Sequence, residues 1–173
     1  GMAIGPFSLL TKLLANPITA VYLAGSGIPG AEDEEVLAAQ RALAMGLEVI
    51  MRSIELQVAA GAKAICVCEP AANLIYLSPN QIAAGSDVFE KFVMEPNRKI
   101  RQKLAELNCD LIFHDCGELN NSMIKEFNTL NAVMLSLGSS RVLWEDAKLV
   151  SRETVLFGNL PSKKFYSDVE CSV

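Results

Sequence analysis

Apolar residues recur along this chain in two alternating patterns, a helical spacing and short unbroken runs. The acidic stretch from Glu32 to Glu35 suits the positive end of a helix dipole. Beyond it Leu43, Leu47, Ile50, Ile54 and Val58 keep a helical stripe up to a stop at Gly61. Ala64 to Cys68 is too short and too continuously apolar for an amphipathic helix, and predicts a strand buried on both faces. Ser78-Pro79 opens a second helical region, interrupted near Gly85 and continued by Phe89, Phe92, Val93, Ile100 and Leu104. A strand at Leu111 to Phe113, a helix from about Asn121 to Asn128, a strand at Ala132 to Leu137, a short helix near Trp144 to Ala147 and a strand at Thr154 to Phe157 follow.

The first thirty residues are less regular. Gly5 to Leu14 mixes apolar residues with Ser8, Thr11 and Lys12 and stops at Asn16-Pro17, a pair that caps and begins helices. Pro17 to Ala24 has the β-branched content of a strand, but its Asn-Pro start favours a short helix, and Gly25 to Gly30 is a loop. Strands that are nearly all apolar and separated by helices predict parallel βα units, hence an α/β fold. No repeat, charge block or linker divides the chain, so residues 2–173 read as one domain, with Gly1 a remnant of tag removal ahead of Met2.

Composition narrows the classes. At 173 residues the chain can bury a substantial core, and although 51% of it is hydrophobic, no apolar run approaches the roughly 18 residues of a membrane span. A net charge of -5 without a Lys/Arg cluster argues against nucleic-acid partners, which demand concentrated positive charge. Five cysteines, an odd number at irregular spacing, suit a reducing cytoplasm better than a disulfide framework.

The polar residues of the strands lie at their carboxyl ends. Cys66-Val67-Cys68-Glu69-Pro70, Phe113-His114-Asp115-Cys116-Gly117, Leu135-Ser136-Leu137-Gly138-Ser139 and Phe157-Gly158-Asn159-Leu160-Pro161 all finish in this way, at the edge where parallel α/β folds bind ligands. His114 is the only histidine, and Cys116, two residues on, points to the same side of an extended segment. The pair can converge on one ligand or one metal ion. Catalytic zinc needs a third protein ligand, which Glu69, Cys66, Cys68, a distant cysteine or sequence outside this chain could supply. Glu69 and Asp115 are the candidate acid/base groups, Glu69 reading equally as a metal ligand or as a partner for a nearby cation. Ser136 and Asn159 are candidates for the substrate-binding wall. Each has a plainer reading: a lone buried histidine is more often a hydrogen-bonded core residue. Cys66 and Cys68 read more readily as packing residues of a central strand, and Cys109 lies at the wrong end of its own.

Taken together and in order, several segments resemble the uroporphyrinogen decarboxylase superfamily, which includes zinc-dependent, corrinoid-linked methyltransferases. They are Gly5-Pro6-Phe7-Ser8-Leu9-Leu10, Gln57 to Ile65 leading to Glu69, Leu77-Ser78-Pro79, Phe89-Glu90-Lys91-Phe92-Val93, Ile112 to Gly117, and Gly158-Asn159-Leu160. The resemblance implies a partial (β/α)8 TIM barrel, about half of one, with earlier strands expected before Met2 and later ones after Val173. A truncated chain of this kind would leave sheet edges that a homo-oligomer could cover. In the methyltransferase branch a His-x-Cys pair like His114 and Cys116 joins a later cysteine on zinc, where a bound thiol accepts a methyl group from a corrinoid partner. Cys171 follows Asn159 by only 12 positions, closer than the family's third cysteine. The decarboxylase branch, which acts on tetrapyrroles without zinc, carries a tyrosine where this chain has Lys12. Its arginines and catalytic aspartate would lie ahead of Met2, so the resemblance favours the methyltransferase branch. The remaining expectation is a catalytically silent, oligomeric half-barrel module.

Overall fold

The computed structural model describes residues 1–161. Five strands form a single sheet in the order of the chain: β1 (Met2–Ile4), β2 (Ala64–Cys68), β3 (Asp110–Asp115), β4 (Met134–Leu137) and β5 (Val155–Gly158), every neighbouring pair parallel. Between them run α1 (Pro6–Leu13), α2 (Pro17–Gly25), α3 (Glu34–Ala59), α4 (Pro79–Ala83), α5 (Glu95–Glu106), α6 (Asn121–Asn128) and α7 (Leu143–Asp146). A sheet that adds strands in one direction without reversing has no switch point of the doubly wound kind. It follows the winding of a partial TIM barrel, as expected.

Local chemistry sets the helix starts. The Asn16 side chain accepts from the backbone of Thr19, which makes Pro17–Gly25 a helix rather than a strand; Asp33 caps α3 through Glu35 and Val36, and Asn120 caps α6 through Met123. The interruption near Gly85 is real: α4 stops at Ala83 and Gly85 takes φ +83°, a conformation that suits glycine. A π-helical turn at Glu90–Met94 then leads into α5. β1, three residues long, carries no periodicity to read from sequence.

The helices cover one face of the sheet. Ile65, Val67, Leu111, Phe113, Leu135 and Leu137 point into them and are buried, packed with Phe7, Ile54, Leu104 and Phe127. Phe127 lies 4.9 Å from Phe113 and 5.6 Å from Phe89, centroid to centroid. The strand Ala64–Cys68 is therefore buried on one face only, contrary to the expectation of two. Its Ala64, Cys66 and Cys68 lie half-buried on the opposite face, the side that a complete barrel fills with its own layers of side chains. No described helix is long and apolar enough to cross a membrane.

Candidate functional site

Side-chain alternation sorts the strand ends into two sets. Ile4, Cys68, His114, Ser136 and Phe157 occupy one row across all five strands on the open face, and Met2, Cys66, Ile112, Met134 and Val155 occupy the row before it. In the first row the imidazole of His114 meets the hydroxyl of Ser136, Nδ1 to Oγ 2.8 Å. With its proton on Nδ1 the ring donates to Ser136 and keeps the Nε2 lone pair for a ligand. Burial pushes the His114 pKa below its ordinary value, so the ring is neutral at pH 7.

Beside this pair opens a cavity of about 590 Å³, to which His114, Cys116, Ser136, Gly138 and Asn159 all contribute. Sequence placed all five at one edge, and the structure gathers them at one opening. Burial, followed by the charge of Asp115, pushes the Cys116 thiol upward, so it is protonated at neutral pH although its residue is exposed. Gly138 is needed where it stands: a Cβ there would lie 2.5 Å from the carbonyl oxygen of Cys116. The ends of β3 and β4 can approach this closely only through glycine.

Arg141, which sequence reasoning did not single out, ties the rim together. Its guanidinium grips both oxygens of the buried Asp146 and donates to the Leu119 carbonyl and to Asn121 Oδ1, 3.0 and 2.8 Å away. Its own carbonyl accepts from Asn159 Nδ2 at 2.7 Å. The loops after β3, β4 and β5 thus share one node. Asn159 holds φ +63°, a left-handed conformation asparagine tolerates. The only sequence signal was an isolated arginine five residues ahead of an acidic one, which is too common to single out.

Glu69 and Asp115, the acid/base candidates, do not line this cavity. Each lies one residue past a member of the open-face row, so each turns toward the helices, and both are fully buried. Glu69 accepts from Phe7 N (3.0 Å), Ser8 N (2.8 Å), Ser8 Oγ (2.8 Å) and Asn97 Nδ2 (3.1 Å). It closes the amino end of α1, whose own cap, Gly5, has no side chain to do so. A Cβ at Gly5 would collide with that carboxyl group. Burial pushes the Glu69 pKa up, while the donors from Ser8, Asn97 and Phe7 pull it down. Asp115 accepts from Gly117 N at 2.8 Å through Oδ1; its Oδ2 has no hydrogen-bond partner among the described residues. Burial raises its pKa well above the ordinary aspartate value, with the Gly117 N–H pulling the other way.

The cysteines divide in the same way. Cys109 is buried at the amino end of β3, far from the edge, as expected. Cys66 and Cys68 lie half-buried on the open face, not in the core, with their sulfurs 3.8 Å apart. Burial, followed by the neighbouring Cys66 thiol, pushes Cys68 up to about 11. His114 and Cys116 fit zinc in donor type and share one cavity, but they are two donors. Among the described residues no three His, Cys, Asp or Glu side chains are grouped to hold a metal ion. Cys171 lies outside the described residues.

With the geometry in place, the comparisons with known proteins are informative. The profile of the family described as uroporphyrinogen decarboxylase (URO-D) matches residues 1–170. No curated protein matches the chain. Among solved structures it is similar to a methyltransferase from Methanosarcina mazei, with 18% sequence identity and a TM-score of 0.69 over 91% of this chain. The chain spans 42% of the length of that protein. At this identity the likeness shows the fold.

Proposed function

This chain belongs to the uroporphyrinogen decarboxylase family, and from that premise we propose that it carries the thiol-binding part of a methyl-transfer site, in which a methyl group borne by a corrinoid partner passes to a small thiol. The observation that carries this reading is the neutral imidazole of His114, fixed by Ser136 at 2.8 Å and set beside the Cys116 thiol in one cavity. An acceptor thiol entering there loses its proton to His114 Nε2. Its sulfur forms a bond to the methyl carbon, and the carbon's former bond breaks with the electron pair leaving on the donor. Ser136 orients the ring and accepts the Nδ1 proton in the tautomer that leaves Nε2 free, and Gly138 and the Arg141 node keep the cavity's walls in place.

Zinc bound by His114, Cys116 and a third donor from outside the described residues would lower the pKa of a coordinated thiol. The steps assigned above do not depend on it. Within the family, methyl transfer is favoured over tetrapyrrole decarboxylation by the imidazole of His114 and the thiol of Cys116, which line one cavity.

The test is thiol-dependent loss of methyl from methylcobalamin, followed by its absorbance change, together with calorimetric binding of the thiol to the protein. Binding that is lost in His114→Ala and weakened in Ser136→Ala is the expected result. Thiol binding unchanged in His114→Ala overturns the proposal. A second reading, a silent module that associates with another copy, has its own observation: the open face exposes Met2 and Val155 at 68% and 55%. A stable dimer with no thiol binding would favour that reading.

A further inference from the structure

The loop after β2 carries a buried polar residue that lines no part of the cavity yet bears on one of its walls. Asn73 is buried at 5% exposure, and its side chain spans its own turn. Nδ2 donates to the Pro70 carbonyl at 2.6 Å, and Oδ1 accepts from Ile75 N at 2.8 Å. A side chain bonded to the backbone on both flanks fixes the course of its loop. One residue on, Leu74 N donates to the Glu118 carbonyl at 2.9 Å, which fastens this loop to the one after β3.

Asn73 also stands against Gly117. A Cβ at Gly117 would lie 2.5 Å from the Asn73 Cβ and 2.6 Å from its Nδ2. The φ angle of Gly117 lies outside the left-handed region, so contact rather than backbone freedom calls for glycine there. From the other neighbour of β3, Gly138 approaches Cys116 as closely: a Cβ at Gly138 would meet the Cys116 Cα and carbonyl carbon at 2.8 Å each. Because β2 and β4 flank β3 in the sheet, the Cys116–Gly117 segment is pinched from both sides. Asp115 Oδ1 holds its Gly117 N–H at 2.8 Å as well. Cys116 itself is exposed, so its side chain has little packing of its own, and this backbone clamp decides where its thiol stands.

We infer that Asn73 is a positioning residue for the Cys116 thiol: seated on Gly117, it holds the chain so that the thiol stays at the cavity beside His114. The inference rests on the methyl-transfer reading for the use made of that thiol, and on the contacts alone for the clamp.

Alkylation of the reduced full chain by iodoacetamide, resolved cysteine by cysteine with mass spectrometry at one fixed pH, tests it. In Asn73→Ala the Pro70 carbonyl and Ile75 N lose their partner and Gly117 loses its support. Cys116 is then expected to react about fivefold faster, the change in a local opening equilibrium that loss of one hydrogen bond allows. Cys109, buried at the far end of β3, keeps its wild-type rate. Gly117→Ala, which pushes a methyl group into Asn73, gives the same selective rise, and decides alone if Asn73→Ala does not fold. An unchanged Cys116 rate overturns the inference. A parallel rise at Cys109 overturns it too, since that marks a general loosening of the fold. A wild type that binds no thiol, with the selective rise at Cys116 still present, defeats the methyl-transfer reading and leaves the clamp standing.

Discussion

Replacement of Glu69 separates its structural role from a catalytic one. In Glu69→Ala the backbone N–H groups of Phe7 and Ser8 lose their acceptor. Both residues are buried, at 0% and 1% exposure, so water cannot substitute. The Ser8 hydroxyl and one N–H of Asn97 Nδ2 lose the same acceptor, but Oγ still accepts from Ala71 N and the other N–H still meets the Val93 carbonyl, so the two backbone amides set the minimum cost. At roughly 1–3 kcal/mol for each buried donor left unpaired, the loss is about 4 kcal/mol. For a domain of this size that corresponds to a fall in Tm of roughly 8–16 °C. Glu69→Gln keeps one oxygen for one of the amides and turns an NH2 group toward the other, so it costs about half as much. Urea denaturation followed by circular dichroism, with the m-value checked for constancy, measures both. Gly5→Ala, which pushes a methyl group into the same carboxyl, should destabilise in the same direction. A Glu69→Ala variant within 1 kcal/mol of wild type, with ligand binding abolished, would refute the capping argument and return Glu69 to the site.

Four further outcomes follow from the same geometry. Gly138→Ala places a Cβ 2.5 Å from the Cys116 carbonyl oxygen, so the loop must shift; a cost of about 1–3 kcal/mol with weakened thiol binding is expected by denaturation and calorimetry. Arg141→Ala leaves the Asp146 carboxyl without its guanidinium partner at 0% exposure, and a loss of about 3–5 kcal/mol is expected, with Asp146→Ala costing a similar amount. Because the folded pKa of His114 is depressed below 6.5, its contribution to stability is complete above that value and is lost as pH falls toward the folded pKa; His114→Gln should flatten the slope of stability against pH just below 6.5. Asp115 has the opposite sign. Its folded pKa is raised, so its contribution is complete below about 3.8 and declines as pH rises, and Asp115→Asn should gain stability relative to wild type between pH 5 and pH 8 in the same denaturation series, a range of about three pH units.

The helices after α1 and all but the first strand were legible because period is local, whereas the mixed stretch that forms α1 gave no assignment. Leu47, Ile50 and Ile54 mark a helical stripe whatever the helix packs against, and Leu111-Ile112-Phe113 is apolar enough to name a strand. Boundaries moved by a residue or two, since β3 extends over the polar Asp110, His114 and Asp115, which propensity alone does not assign to a strand. The face of each strand was harder to read. An uninterrupted apolar run has no alternation to distinguish the helix-covered side from the open one, so Cys66 and Cys68 read as core, and the open face that half-exposes them became visible only with the sheet assembled.

Alternation also accounts for the division of chemistry at the edge. His114 and Cys116 share a side because they are two apart, and Asp115 between them must take the other; the register that aligns Cys68 with His114 then sends Glu69 to the Asp115 side. One side of the edge meets the helix N-terminus, where a buried carboxylate can be satisfied by backbone N–H groups, and the other meets the cavity, where an imidazole and a thiol remain reachable. A carboxylate among the cavity residues would have held a proton competing with His114; placed one residue away it steadies α1 instead. The same one-residue step decides both roles, so moving Glu69 to position 68 and a cysteine to position 69 in one double variant should destabilise α1 and disturb the open face together, whereas Cys68→Ser alone should spare α1.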